Sequence, residues 1–418
     1  MANDRSVVLI SLDGFPAYAL DDERLPVPAL RKLIQNGASA KRMKTVNPSV
    51  TWPNHTAMVT GVDASRHGVL FNGMLTRPSP KSPVKVEPWR DKAEMVKAPT
   101  VYDLAHKAGM TTAQVDWVAI YNAATITWEF PEVPKVTGVI EKELIDSGEV
   151  AEKDIAGFGR INITRRDQIW TRAAVHILKK HKPNLLMYHL LNLDSTHHTY
   201  GPRNQASNSG IAFADSMVRE LMEAVDLAKT AVIVVSDHGF RAVMRNIRPN
   251  AVLHHYGLLE AAACQVYAVP EGGTAMVYVT DRSRRAELIP KVKEMFAKVE
   301  GIDRVIDASG FAELGFPDPD KYDQMADIVL SAKPGFAFSG QTDGGPVDLT
   351  PSAKVTGSHG FLSSDPEMDA IFIACGAGIR KGLSLDTIRN IDVAPTIAEL
   401  LGLKMEDVQG RSLRAILA

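Results

Sequence analysis

The sequence predicts an α/β fold: a mostly parallel central sheet sandwiched by helices, with a small α+β subdomain inserted late in the chain. Three observations carry that prediction. Short apolar runs of strand length, Ser6 to Leu12, Leu185 to Leu193, Ala231 to Val235 and Ala370 to Ala374, alternate with helix-patterned segments, and such alternation builds parallel sheets because each crossover helix returns the chain in the same direction. Three of the runs stop at an aspartate: Asp13, Asp194 and Asp237. Near residue 256 the pattern changes to hairpin and βαβ-like segments, and near 356 it changes back. This divides the chain into a core of residues 1–255 and 356–418 and an insertion of 256–355.

Composition narrows the class. A chain of 418 residues that is 45% hydrophobic can bury a large core. A formal charge of −2 with well-mixed signs supplies no basic field for a long nucleic acid or an anionic membrane, and a small charged substrate stays compatible. The two cysteines, Cys264 and Cys375, form no CxxC pair, so any metal ligands are histidines and carboxylates. The first apolar run, Val7 to Leu12, is too short for a signal sequence, and no stretch reaches the roughly 18 apolar residues of a membrane span. The expectation is a soluble protein, cytoplasmic as given, or periplasmic or secreted if a leader has been trimmed.

In chain order, Ser6 to Leu12 reads as a buried strand and Val27 to Asn36 as a helix. Val46 to Gly61 has no strand alternation; it reads as a turn leading into a helix, with Pro53 in the first turn, where its missing N–H costs nothing. Thr51 then sits at a helix N-terminus, either as a cap or as a hydroxyl where free N–H groups favour a phosphate. Asn72-Gly73 marks a turn, and the proline-rich stretch 77–99 a loop. Thr100 caps a helix ending near Gly109, Thr111 to Ala119 alternates like a strand, and Thr164 opens an amphipathic helix with a basic end at Lys179-Lys180. Asp194 and His198 are four apart, so one helical turn puts both on one face, a workable metal-ligand spacing. Ile211 to Ala228 reads as a helix before the strand that ends in Ser236-Asp237-His238-Gly239. Within the insertion come strands at Gln265 to Val269, Thr274 to Thr280 and Ala326 to Ala332, a basic helix between Arg284 and Val299, and a Gly-rich loop at 335–346. The core resumes at Gly357-Ser-His359-Gly and closes with a helix after Asn390.

Asp13, Asp194, His198, Asp237, His238 and His359 thus form a set of carboxylates and imidazoles gathered by strand ends, where open α/β sheets bind ligands. Such a set without thiolate suits Zn²⁺, with Mn²⁺ or Fe as rivals. Six ligands are too many for one tetrahedral site with an open position and the right number for two, and two metals roughly 4 Å apart can clamp the attacking and leaving oxygens of a phosphoryl transfer.

Asp13-Gly14, Thr51-Trp-Pro-Asn-His, Asp194-Ser-Thr-His-His-Thr-Tyr-Gly-Pro, Ser236-Asp-His-Gly, Gly357-Ser-His-Gly, Asp392-Val-Ala-Pro-Thr and Gly410-Arg-Ser-Leu resemble the alkaline phosphatase superfamily, and within it the nucleotide pyrophosphatase/phosphodiesterase family. The resemblance implies one zinc on Asp194, His198 and His359, and another on Asp13, Asp237 and His238, with Thr51 as its fourth ligand and as the nucleophile that becomes phosphorylated. It implies that Asn72 donates to a phosphoryl oxygen, and that the substrate is a small phosphodiester, nucleotide-type or other. Phosphomonoesterase, phosphonate hydrolase and phosphomutase remain as alternatives, with a non-catalytic metal-stabilised binding protein beyond them.

The chain departs from the family at two points: Trp52 replaces the usual phenylalanine after the nucleophile, and the secretion signal and accessory domains of the extracellular members are not seen in the sequence as given. The threonine monoesterases carry a Lys-x-Arg pair on a strand matching Val115-Asp116-Trp117, where this chain has apolar residues at the two positions, which favours diesters. Trp52, Trp117 and Tyr121 are then the expected apolar surface for the second substituent.

Overall fold

The computed structural model describes residues 5–418 except 79–81, 261–262, 350 and 353, so residues 79–81 of the expected proline-rich loop lie outside the described residues. Eight strands form the central sheet: β1 (Ser6–Leu12), β2 (Gly37–Lys44), β3 (Thr112–Val115), β4 (Trp128–Phe130), β5 (Leu185–Leu190), β6 (Thr230–Val235), β7 (Ala370–Gly376) and β8 (Leu383–Arg389). Their order is β8-β2-β7-β6-β1-β5-β3-β4. Only β7 runs against its neighbours, pairing antiparallel with both β2 and β6. The mostly parallel α/β sheet is therefore as expected.

Residues of β1 explain why central strands read as unbroken apolar runs. Val8, Ile10 and Leu12 enter one core, and Val7 and Leu9 enter the other, because both faces of the sheet are covered. Helices α1 (Pro28–Gln35), α2 (Thr51–Thr60), α3 (Ile163–His176), α4 (Asn192–Tyr200), α5 (Gln205–Met222) and α6 (Val393–Leu400) supply most of that cover. Leu30 of α1, Trp170 of α3 and Val218 of α5 pack on one face; Met58 of α2 and Ile397 of α6 pack on the other.

Several boundaries differ from expectation. β2 and β8 do not show as apolar runs: Lys41 and Arg42 interrupt the first, and β8 is an edge strand that buries only Ile388. The run ending at Asp194 stops as a strand at Leu190, and Asp194 lies in the first turn of α4. Part of the Gly-rich loop, Gly335–Phe338, is a strand parallel to Arg241–Ile247.

The inserted region has its own antiparallel sheet in the order Val266–Glu271, Thr274–Val279, Ile328–Ala332, Ile302–Asp307, with Arg285–Phe296 packed on it. A three-stranded sheet of Gly335–Phe338, Arg241–Ile247 and Thr356–Ser358 straddles the expected boundaries and returns the chain to His359. Among the described residues, no helix is long and apolar enough to cross a membrane.

Candidate active site

The site collects where β1, β6 and α4 end or begin. Asp13 follows β1, and Gly14 makes the turn that brings it round: its φ is +68°, and its N–H donates to Asp237 Oδ1 at 3.0 Å. A Cβ at Gly14 would meet the Phe240 ring at 2.8 Å, so glycine is required both by conformation and by space. Asp237 follows β6, and its Oδ1 takes a second N–H, from His238, at 2.9 Å. On α4, Asp194 and His198 face one another across one turn, with Asp194 Oδ1 3.4 Å from His198 Nε2. His359 arrives from the strand Thr356–Ser358 and places Nε2 at 3.7 Å from the same oxygen.

The three imidazoles share one orientation. His238 Nδ1 faces the Gly239 carbonyl at 3.1 Å, His198 Nδ1 the Gly357 carbonyl at 3.2 Å, and His359 Nδ1 the Ser49 carbonyl at 3.1 Å. A carbonyl only accepts, so each Nδ1 carries the hydrogen and each Nε2 presents a lone pair. Those lone pairs point at carboxylate oxygens that have no hydrogen-bond partner: Asp13 Oδ1, Asp194 Oδ1 and Asp237 Oδ2. Lone pair against carboxylate is repulsive unless a cation lies between them.

Spacing supports the same conclusion. Atoms about 2.0–2.2 Å from a tetrahedral ion lie roughly 3.3 Å apart. Around His238 Nε2 the distances are 3.4 Å to Asp13, 3.2 Å to Asp237 and 3.5 Å to Thr51 Oγ1. A third cluster behaves otherwise. His176 and His181 each hold Glu143 Oε2 at 2.8 Å, with Lys180 on the other oxygen at 2.9 Å, which is hydrogen-bond spacing with the balancing cation already present.

Electrostatics agree. Burial, then the Asp194 charge, push the Asp13 carboxyl up to about 7, and burial with the Asp13 charge pushes Asp237 well above the usual carboxylate range. Burial and the His359 ring hold His238 well below its ordinary value, and burial first, then His198, brings His359 down to about 4. The His238 and His359 rings stack at 3.8 Å, so both cannot be cationic. The second trio differs: against burial, the Asp194 carboxylate raises His198, and His198 in turn lowers Asp194. Neutral His238 and His359 beside crowded buried carboxylates are a donor set for divalent metal, and these residues fit one.

Thr51 is the first residue of α2, whose N-cap is Val50 with no side-chain cap bond. The hydroxyl is therefore not used as a cap; its one described side-chain contact is His238 Nε2. The loop before it is pinned by buried Asn54, which accepts from the Val46 N–H and Asn390 Nδ2 and donates to the Pro48 and Val50 carbonyls. Asn72 accepts the Trp52 N–H through Oδ1 at 3.0 Å, which leaves its exposed amide nitrogen to face outward as a donor.

Of the expected aromatic surface, Tyr121 is 44% exposed, and Trp52 is 8% exposed and edge-on to Trp89. Trp117 is a correction. It is 3% exposed, packed edge-on to His55 at 4.8 Å, because Asp116 turns the chain inward at φ +56° and directs its carboxylate to His189 rather than to substrate. Trp89, 49% exposed beside Trp52 and lining a cleft of about 610 Å³ with Tyr121, was not expected from sequence.

Known proteins can now be set beside this geometry. The family model for type I phosphodiesterase / nucleotide pyrophosphatase matches residues 7–362. The chain belongs to that family, within the alkaline phosphatase superfamily. It is 25% identical to human ectonucleotide pyrophosphatase/phosphodiesterase family member 1 over 95% of this chain and 40% of that protein. With bovine bis(5'-adenosyl)-triphosphatase ENPP4 it shares 24% identity, over 96% of this chain and 79% of that one. The chain thus spans less than half the length of the human relative. The fold is that of human ectonucleotide pyrophosphatase/phosphodiesterase 5, with a TM-score of 0.76 at 18% identity over 99% of this chain and 100% of that chain. The murine counterpart, with a TM-score of 0.74, 18% identity and the same coverage, has been solved as an inactive threonine-to-alanine variant in complex with AMP.

Proposed function

We propose that this family member is a two-metal phosphodiesterase that hydrolyses small, nucleotide-type diesters through a phosphorylated Thr51. The observation that carries the proposal is the uncapped Thr51 hydroxyl 3.5 Å from an Nε2 lone pair whose other neighbours are bare carboxylates. Asp13, Asp237, His238 and Thr51 would hold one ion, and Asp194, His198 and His359 the other, zinc being the metal this nitrogen–oxygen donor set suits. Bound there, the metals supply Lewis-acid stabilisation of the attacking and leaving oxygens.

The chain's own residues do the rest. The α2 N-terminus fixes Thr51 in line with a phosphorus held beside it. The Thr51 hydroxyl gives up its proton to solvent, Oγ forms a bond to phosphorus as the bond to the leaving oxygen breaks, and the leaving group departs with that electron pair. Asn72, oriented by the Trp52 N–H, donates its amide hydrogens to a non-bridging oxygen as charge develops there. Water then attacks phosphorus and releases a proton, the Oγ–P bond breaks with its electron pair going to Oγ, Oγ regains a proton, and the product monoester leaves. Trp52, Trp89 and Tyr121 offer apolar surface to the diester's second substituent. Relatives named as nucleotide pyrophosphatases and as a bis(5'-adenosyl)-triphosphatase support the substrate class.

Preference for diesters rests on charge. Val115 and Trp117 are buried and Asp116 faces His189, so this segment brings no cation to a dianionic monoester. The test compares kcat/KM for methyl p-nitrophenyl phosphate and p-nitrophenyl phosphate, which share a leaving group. A clear diester preference is expected, and a monoester preference overturns the assignment.

A further inference from the structure

Asp13 is held from behind by a side chain that neither the metal-ligand set nor the nucleophile includes. His189, inside strand β5 and 2% exposed, places Nε2 at 3.0 Å from Asp13 Oδ2. Its Nδ1 lies 3.0 Å from the Asp116 carbonyl and 3.1 Å from Asp116 Oδ2, so, with an acceptor at hydrogen-bond distance from each nitrogen, this ring differs from the other three in carrying both hydrogens and donating through Nε2. Asp116 is fully buried, sits in the left-handed region at φ +56°, and neither of its carboxylate oxygens has a hydrogen-bond partner. An unpartnered buried carboxylate beside one imidazole is costly unless that imidazole compensates it. The His189 ring also meets His55 edge-on at 4.6 Å, and His55 in turn donates to the Thr51 carbonyl at 2.9 Å. One buried chain of contacts therefore runs from Asp116 through His189 to Asp13, with a branch through His55 to Thr51.

We infer that His189, oriented by Asp116, is the positioning residue of the Asp13–Asp237–His238 metal site. The claim rests on the two-metal reading above. Its physical content is that His189 occupies Asp13 Oδ2, so the carboxylate cannot rotate and only Oδ1 faces the metal position. Asp237 is fixed by another device, two backbone N–H groups on its Oδ1, and among the described residues the Asp194 carboxylate faces His198 and His359 rather than His189. The effect of His189 therefore falls on one metal and not on both. Partners of ligating carboxylates typically contribute about 10–100-fold in metal affinity.

The experiment reads metal, not turnover. The metal-loaded protein is titrated with a chromophoric chelator, and the two zinc dissociation constants are resolved for wild type, His189→Leu, His189→Gln and Asp116→Asn. In His189→Leu, one dissociation constant should rise about 10–100-fold while the other stays within about threefold. His189→Gln, which can still donate an N–H to Asp13, should recover most of the loss, a rescue that a purely space-filling role would not give. Asp116→Asn should loosen the same metal by less than His189→Leu. Unchanged constants, or equal loosening of both metals in every variant, would overturn the inference. Should His189→Leu fail to fold, His189→Gln and Asp116→Asn decide on the same criteria. A wild-type protein that takes up fewer than two metals would instead defeat the two-metal reading, so the two failures are distinct.

Discussion

Replacing Thr51 by alanine separates catalysis from folding. The substitution removes a hydroxyl with one described side-chain contact, 3.5 Å to His238, and a methyl in a residue that is 7% exposed. No capping bond is lost, because the α2 N-cap is Val50 and bears none. Losing one buried methyl costs about 0.8 kcal/mol, so stability should fall by about 1 kcal/mol, the middle of the range for point substitutions and well inside the margin of a folded domain. Activity should respond on another scale. Without Oγ the covalent route is closed, and nucleophile deletions in hydrolases of this general type cost about 10⁴-fold or more in kcat.

Three measurements on Thr51→Ala fix the interpretation: diester turnover, thermal midpoint, and bound metal per chain. Metal content matters because Thr51 is also a proposed ligand. Thr51→Ser is the companion variant; it keeps a hydroxyl and should retain turnover within roughly tenfold and form a trappable phosphoenzyme. A Thr51→Ala protein with wild-type metal content and more than a tenth of the wild-type kcat would refute covalent catalysis and leave direct attack by water.

Three other outcomes follow from the same geometry. Asn72→Ala removes the donor proposed for the phosphoryl group and should lower kcat about 10²- to 10³-fold, with a smaller change in KM, measured on the same diester. Stripping metal with a chelator should lower the thermal midpoint and abolish turnover, and zinc should restore both; a midpoint indifferent to metal would count against the reading of the bare carboxylates at Asp13, Asp194 and Asp237. Burial pushes both Cys264 and Cys375 up to about 11, so the reactive thiolate is scarce at pH 8, and a thiol reagent should label them only as the protein unfolds or as pH approaches that value.

How much of this was legible in the sequence depends on what kind of atom does the work. Asp13 and Asp237 were legible because strands buried on both faces must end abruptly, and a charged residue just after six or seven apolar ones stands out. Asp194 was legible through its four-residue spacing to His198 on a helical turn, but where the strand before it stops was not: Asp167, whose carboxylate accepts the Leu191 and Asn192 N–H groups, starts the helix there. Trp117 misled because alternation cannot register a single left-handed residue. Asp116 at φ +56° rotates the chain, and the face expected to meet substrate turns into the core. Trp89 was hidden in a segment whose prolines say loop and whose position beside Trp52 is tertiary.

The atoms that turn six residues into a site were the least legible. Gly239, Gly357 and Ser49 contribute only carbonyl oxygens, and a carbonyl leaves no mark in a sequence. Yet these three oxygens select the tautomer of His238, His198 and His359, and so leave every Nε2 with a lone pair rather than a hydrogen. Two of the three lie far along the chain from the histidine they orient: Ser49 acts on His359, and Gly357 on His198. The first of these links runs between the Thr51 loop and the strand that returns from the inserted region. Moving that strand would therefore turn the His359 ring relative to Thr51, because the Ser49 carbonyl accepts from both His359 Nδ1 at 3.1 Å and the Gly360 N–H at 2.9 Å, and Asn47 of the same loop accepts the Ser363 N–H at 2.7 Å.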